Sequence, residues 1–296
     1  MALYVAATPI GNLGDASERL KRTLEGCALV LCEDTRVTQK LYAAFGLKRP
    51  RLLSSHQYNE EGRAADVVAE MLEKGLDVAL VTDAGTPGVS DPGFAVVRQA
   101  AQAGIEVLAV PGPSAASALL SICGFEIESY AFFGFLPRKG KEREAAFARI
   151  ARACVSVAVV YESPHRVKAL LRDVEAFLPG AQLCLSCDLT KLHEKTLRGG
   201  AAELLLALNA NPSAEKGEYA LAIELKGVKR PETAEEKPSA RAMLLEFALM
   251  GLSAKEAVAR LAAQPGYSRN EAYAASLEIA PLLKKIEEGA IDAGRD

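Results

Sequence analysis

The sequence predicts an α/β protein with a parallel sheet in its first domain, a mixed sheet in a second α/β domain, and a small helical module at the C-terminal end. Three observations predict it. Through the first third, short apolar runs of strand length alternate with stretches of helical spacing, the pattern of βαβ repetition and a parallel sheet. From Ser114 the alternation continues, but the last strand-like runs crowd together, which favours antiparallel pairing. Beyond a polar stretch with two prolines, Lys226–Ser239, only helical spacing remains.

Taken in order, Leu3–Ala7, Ala28–Cys32, Arg51–Ser54, Val78–Val81 and Val107–Val110 read as short buried strands. Ser17–Glu25, Val37–Phe45, Glu60–Glu73 and Phe94–Ala103 read as the helices between them, with Asp15 and Ser17 resembling helix caps. In the second domain the predicted strands are Ala131–Phe135, Val155–Tyr161, Gln182–Cys187, Thr196–Arg198 and Tyr219–Leu225. Helices are predicted at Lys141–Ala153, His165–Phe177 and Ala201–Asn209. The last region carries helical runs at Ala240–Met250, Ala254–Ala262 and Arg269–Lys285, where Ser253 with Glu256 and Ser268 with Glu271 predict two capping boxes. Short helices joined by tight turns suggest a helix-turn-helix-like module. The boundaries expected are 1–112, 113–228, a linker at 229–239, and 240–288.

The most telling segment is Thr82–Gly93, TDAGTPGVSDPG, set between a strand-like run and a helical one. Its five glycines and prolines force a shaped loop, and glycine lets a backbone approach a ligand closely. It is neither a P-loop nor GxGxxG. The other strands of the first domain lead into TPIGNLGDAS, EDTR, SHQYNEE and PGPSA. In a parallel sheet these loops share one edge, the edge where open α/β sheets bind ligands.

Composition sets limits. The chain has 296 residues, half of them apolar, and a net charge of −3, so nucleic-acid contact would need local patches rather than a global basic field. No apolar run reaches bilayer length, and the N-terminus lacks the basic start of a signal peptide; a membrane span is not expected, and a reducing, cytoplasmic setting is. The six cysteines sit mostly in apolar runs. Cys184 and Cys187 match CxxC, but residues three apart on a strand face opposite sides, which suits neither a metal clip nor a redox pair. No metal is expected.

Other clusters could carry chemistry. Phe132–Arg143 places aromatics beside Arg138, Lys139 and Lys141, a mixture that can hold phosphates and stack on unpaired bases, or simply a buried strand leading into a solvated helix. Tyr161-Glu162-Ser163-Pro164-His165-Arg166 is richer than a helix cap requires. His56, after the third strand, is a general-base candidate; Asp34 and Arg36 could equally be an ion pair that orders their loop.

Seven motifs occur in one order: TPIGN, CEDTR, TDAGTPGVSDPG, PGPSA, FFGFLPRK, YESPHR and LTKLHE. With them the chain resembles the ribosomal RNA small-subunit methyltransferase I family of the tetrapyrrole methylase superfamily, over essentially its whole length. The resemblance implies two α/β domains of tetrapyrrole-methylase type with S-adenosylmethionine in the cleft between them. It also implies 2′-O-methylation of a cytidine ribose in the decoding centre of 16S rRNA within the 30S subunit, and a homodimer. Carried onto this sequence, it implies cofactor contacts at Pro9, Asp83, Gly85, Thr86, Gly88, Ser114, Ala115 and Tyr161, and at Tyr219, Ala220 and Leu221. RNA contacts are implied at Arg36, Arg138, Lys139, Lys141 and Arg166. One departure stands out: Cys187-Asp188 precede Leu-Thr-Lys where the family usually has Arg-Glu.

The chemistry expected is alignment of a ribose oxygen with an activated methyl group plus removal of the hydroxyl proton. His56, Asp34 and Glu162 are the base candidates, in that order. The alternatives are a methyltransferase acting on a small acceptor such as a tetrapyrrole, and an assembly factor that binds RNA without turnover.

Overall fold

The computed structural model describes residues 1–56, 59–228 and 238–287; Gln57, Tyr58 and residues 229–237 of the expected linker lie outside them. The first sheet contains β1 (Ala2–Ala6), β2 (Leu29–Cys32), β3 (Arg51–Ser54), β4 (Val78–Val81) and β5 (Glu106–Val110), ordered β3-β2-β4-β1-β5 and parallel throughout. The helices between them are α1 (Glu18–Gly26), α2 (Thr35–Phe45), α3 (Glu60–Lys74) and α4 (Phe94–Gln102).

The continuous apolar runs of β2 and β4 reflect burial on both faces. Leu29, Leu31, Val78 and Leu80 pack with Val67 and Met71 of α3 and Val96 of α4. The alternate residues Val30, Cys32, Ala79 and Val81 pack with Leu20 and Leu24 of α1 and Tyr42 of α2. Ser17 caps α1 as expected, accepting the Leu20 N–H at 3.0 Å, whereas Asp15 lies in a short 3-10 turn.

The second sheet follows α5 (Ala115–Ile122), a helix absent from the sequence prediction. Its elements are β6 (Tyr130–Phe135), α6 (Gly140–Arg152), β7 (Val157–Glu162), α7 (Val167–Phe177), β8 (Leu183–Cys187), β9 (Lys195–Gly199), α8 (Ala201–Ala210) and β10 (Tyr219–Glu224). The order is β6-β7-β10-β8-β9. Only β6 and β7 run parallel; the crowded late strands pair antiparallel, as their spacing predicts. One face packs on α6, α7 and α8 through Val160, Leu185 and Ile223. The other packs on Leu119 and Leu120 of α5 through Val159, Cys184 and Ala222. Cys184 and Cys187 thus fall on opposite faces, and the cysteines are free thiols.

The described residues from Pro238 onward belong to a separate unit. Its helices are α9 (Ala240–Leu249), α10 (Ala254–Ala262), α11 (Arg269–Glu278) and α12 (Ala280–Glu287), closed on a core that includes Leu244, Phe247, Leu261, Ile279 and Leu283. The predicted run Arg269–Lys285 breaks at Ile279, because Pro281 brings no N–H to a continuing helix. The Ser253–Glu256 box is complete; Ser268 accepts the Glu271 N–H at 3.1 Å as a simple cap. No helix among the described residues is long and apolar enough to cross a membrane.

Candidate active site

Strands β1 and β4 are neighbours, yet their chains leave toward opposite faces of the sheet. The helix after β1 joins the core of Leu20 and Leu24, and the helix after β4 joins that of Ala95 and Val96. A crevice opens outside the carboxyl ends of strands that part in this way. Two backbone hydrogen bonds close its base: Thr8 N–H donates to Gly85 O at 2.9 Å, and Gly85 N–H to Thr8 O at 3.1 Å. Gly85 takes a left-handed φ of 89° to make these bonds, a conformation that residues with a side chain rarely adopt. Thr86 Oγ1 then donates to Pro113 O at 3.2 Å, binding the same loop to the turn after β5.

The crevice continues into a cleft of about 430 Å³ between the two sheets. The first sheet contributes Ile10, Glu33, residues 83–86, residues 89–91, Ser114 and Ala115. The second contributes Phe135, residues 161–164, Leu189 and residues 217–220. Tyr161 packs edge-on against Phe132 and Phe135, with ring centroids 4.8 and 5.7 Å apart. Burial pushes its hydroxyl pKa up, against the pull of the Ala116 backbone and the Ser114 side chain that meet it.

Glycine shapes the seam between the sheets at one more place. A bulge in β6 puts Gly134 at a φ of 60°, and a Cβ there would lie 2.8 Å from Ser90 Oγ. Ser90 itself has a φ of 65°, so the loop after β4 reaches the second sheet through two unusual backbone positions.

Five carboxylates line the cleft: Glu33, Asp83, Asp91, Glu162 and Glu218. Glu162 is almost wholly buried and receives Arg166 Nε at 2.7 Å, Arg166 Nη2 at 2.8 Å and the Ser163 N–H at 2.8 Å. Arg166 also donates to Leu136 O at 3.0 Å, and buried Arg143 donates to Pro137 O at 2.8 Å and to Asp173 at 2.6 Å. Glu218 pairs with Lys191 at 2.8 Å. Asp83 Oδ1 accepts the Asp34 N–H at 3.1 Å, and the Asp83 backbone meets the Glu33 carboxylate. Asp91 makes no hydrogen bond or ion pair among the described residues. Burial, then Glu33, then Asp83 push its pKa up to about 7. Burial also raises Glu33 and Asp83.

Two arginines therefore fix the carbonyls of the turn that follows β6. That turn presents Arg138 and Lys139, with Lys141 at the start of α6; all three are exposed and form no ion pair among the described residues.

The residues singled out in the sequence divide accordingly. Asp83, Gly85, Thr86, Ser114, Ala115, Tyr161, Glu162, Tyr219 and Ala220 line the cleft. Pro9, Gly88 and Leu221 do not, although Pro9 precedes Ile10 and Gly88 belongs to the shaped loop. His56 lies past β3, the edge strand farthest from β5, and does not line the cleft. Asp34 caps α2 and holds Arg36 with a contact of 2.6 Å, and the guanidinium draws its pKa down to about 2; this is the loop-ordering ion pair. Arg166 is committed to Glu162 and Leu136. Glu33 and Ser90 join the wall without having stood out in the sequence, and Asp91, which with Asp83 brackets the loop after β4, joins it without having been a base candidate. All three lie within the CEDTR and TDAGTPGVSDPG motifs, but only the fold shows which side chains meet. In place of the expected Arg-Glu pair, Asp188 holds Lys191 at 2.9 Å and Cys187 packs into the second sheet's core. The described residues contain no cluster of side chains suited to a metal ion.

Comparison with known proteins fits this geometry. Residues 2–205 match the family model described as Tetrapyrrole (Corrin/Porphyrin) Methylases. The chain is 38% identical to "Ribosomal RNA small subunit methyltransferase I" of Pasteurella multocida, over 93% of this chain and 96% of that one. It is 40% identical to the protein of the same name from Neisseria meningitidis serogroup B, over 75% of each chain. A solved cobalt precorrin-4 methyltransferase shares the fold, with a TM-score of 0.56 at 17% identity, covering 75% of this chain and 94% of that one.

Proposed function

The chain belongs to the tetrapyrrole methylase family and is a methyltransferase akin to the ribosomal RNA small subunit methyltransferases I, and from that premise we propose that it methylates the ribose 2′-oxygen of a cytidine in the decoding centre of 16S rRNA. The methyl donor in this reading is S-adenosylmethionine and the substrate is the small ribosomal subunit. The observation that carries the reading is the continuity at Phe135. This ring lines the cleft, and three residues later the chain presents the exposed cations Arg138 and Lys139, which form no ion pair among the described residues. A donor cleft and a phosphate-attracting lip are thus parts of one strand and turn.

The side chains present suit such a donor. Its sulfonium is a cation, and the cleft offers Glu33 and Asp83, neither of them in an ion pair among the described residues. Asp83, Gly85, Thr86, Ser114 and Ala115 would hold the methionine end, with Gly88 setting the loop's path. Tyr161, Tyr219 and Ala220 would flank the adenosine, with Leu221 behind them and Pro9 shaping the opposite wall. Bound there, S-adenosylmethionine supplies an already activated methyl group.

The residues of this chain then have three tasks. The ring of Tyr161, packed against Phe132 and Phe135, gives the cleft an apolar wall, the tied loops after β1, β4 and β5 hold the donor end still, and Arg138, Lys139 and Lys141 place the RNA backbone, with Arg36 on the same polar edge. Fixing both partners in line supplies much of the rate of a bimolecular transfer. The acting form in this reading is a homodimer, which sedimentation of the full chain measures.

The test is transfer of radiolabelled methyl from S-adenosylmethionine to small subunits lacking the modification, alongside naked 16S rRNA and intact 70S ribosomes. Label in one cytidine ribose of subunit RNA supports the reading. Cofactor binding without label in any RNA overturns it and moves the acceptor to a small molecule.

A further inference from the structure

We propose that Asp91 is the catalytic base of this site, the group that takes the proton from the ribose 2′-hydroxyl. The assignment rests on the function proposed above and deepens it. It follows from the bonding of the carboxylates that line the cleft. Glu162 is neutralised by Arg166, Glu218 is paired with Lys191, Asp83 accepts the Asp34 N–H, and Glu33 is met by the Asp83 backbone. Asp83 and Glu33 keep lone pairs but are tied into the loops after β2 and β4, whereas Asp91 alone among the five takes no hydrogen bond or ion pair within the described residues and is left to meet a substrate.

Its surroundings set its basicity. The charged and titratable groups that face it are Glu33 from the loop after β2, Asp83 from its own loop and Tyr161 from β7, and none is a cation. Burial and the two neighbouring carboxylates raise its proton affinity to about 7, where a base at neutral pH works best. His56 and Asp34, the sequence's first choices, lie outside the cleft wall, and Asp34 is held by Arg36 with its proton affinity lowered.

The step balances without a further reactant. The ribose O–H bond breaks and its proton passes to the Asp91 carboxylate. The oxygen's electron pair forms the new bond to the methyl carbon, and the carbon–sulfur bond gives its pair to sulfur, leaving a neutral thioether. Asp91 then releases its proton to water.

The experiment compares wild type with Asp91→Asn and Asp91→Ala in single-turnover transfer to small subunits across pH 5.5–9, with S-adenosylmethionine affinity measured by calorimetry. Carbon-13 NMR of the Asp91 carboxyl gives its titration in the enzyme alone. The expected result is a carboxyl that titrates near neutrality, a wild-type rate that rises with pH to a plateau, and a loss of about 10²–10⁴-fold in both variants with the pH dependence flattened. Donor affinity stays within about threefold of wild type. Variants within tenfold of the wild-type rate overturn the assignment, as does a loss that appears mainly in donor affinity. A wild-type enzyme that labels no subunit RNA while binding the donor overturns the function reading instead, and takes this assignment with it.

Discussion

Ser90 and Gly134 meet across the seam between the two sheets, with Ser90 Oγ standing 2.8 Å from the place a Cβ on residue 134 would take. The contact joins the loop that shapes the cleft to the bulge that turns Phe135 toward it. Gly134→Ala should therefore cost twice, through a left-handed alanine and through the clash, roughly 2–4 kcal/mol together. Urea unfolding followed by circular dichroism reads the loss. Adding Ser90→Gly should return the part due to the clash and none of the part due to φ. An alanine variant as stable as wild type would mean that the seam yields freely.

The Glu162–Arg166 pair is buried on the carboxylate side and holds the Leu136 carbonyl. Glu162→Ala strands a guanidinium in that site and should cost about 3–5 kcal/mol. Replacing both partners with Leu and Met should cost less than the single change, since no uncompensated charge remains. Both variants should also weaken binding to small subunits, because the turn bearing Arg138 and Lys139 loses one of its two anchors. Subunit binding at the wild-type level in a variant that still folds would show that the turn keeps its place without the pair.

Asp91 links stability to pH in a definite direction. Its proton affinity is higher in the folded chain than in an unfolded one, so between about pH 4 and its folded value near 7 the native state holds the extra proton. Stability should fall as pH rises through that window, and the cost is fully present above it. Asp91→Asn should raise the melting temperature at pH 8 and leave it unchanged near pH 4. Thermal melts at the two pH values decide; equal shifts at both would show that Asp91 is not held at a raised proton affinity.

Arg138→Ala, Lys139→Ala and Lys141→Ala combined should weaken binding to small subunits and lower the slope of log affinity against log salt by roughly two, about 0.7 for each phosphate no longer neutralised. Donor affinity measured by calorimetry should not move. An unchanged salt slope would remove these side chains from the RNA interface.

Much of this architecture is legible in the chain. The inner strands β2 and β4 announce themselves because both faces are buried, so their residues are apolar without a break, and the glycines and prolines after β4 mark the ligand edge. Helix α5 escapes because AASALLSI is short and apolar nearly all round, leaving no polar stripe to reveal a period. The split at Ile279 is hidden by helical spacing on either side of Pro281. Strand order is the larger gap. His56 stands after a strand as the other loop residues do, and only the arrangement β3-β2-β4-β1-β5 places it on the outside. For Asp34 both roles are visible in the sequence, base or ion pair, and the geometry shows the ion pair. Asp91 lies within the most informative motif, but its significance depends on what its neighbours are bonded to, which no spacing encodes.

The two arginines that grip the Leu136 and Pro137 carbonyls have a consequence for how such a protein could change its target. The donor side of the cleft draws on loops from four parallel strands tied to one another, so altering it disturbs many parts at once. The cationic turn hangs from two anchors at its root, and its outward side chains contribute nothing to those anchors. On the function proposed above, new acceptors can be explored by drift at positions 138–141 while the methyl-handling side stays untouched, a separation of address from chemistry that one fold can exploit repeatedly.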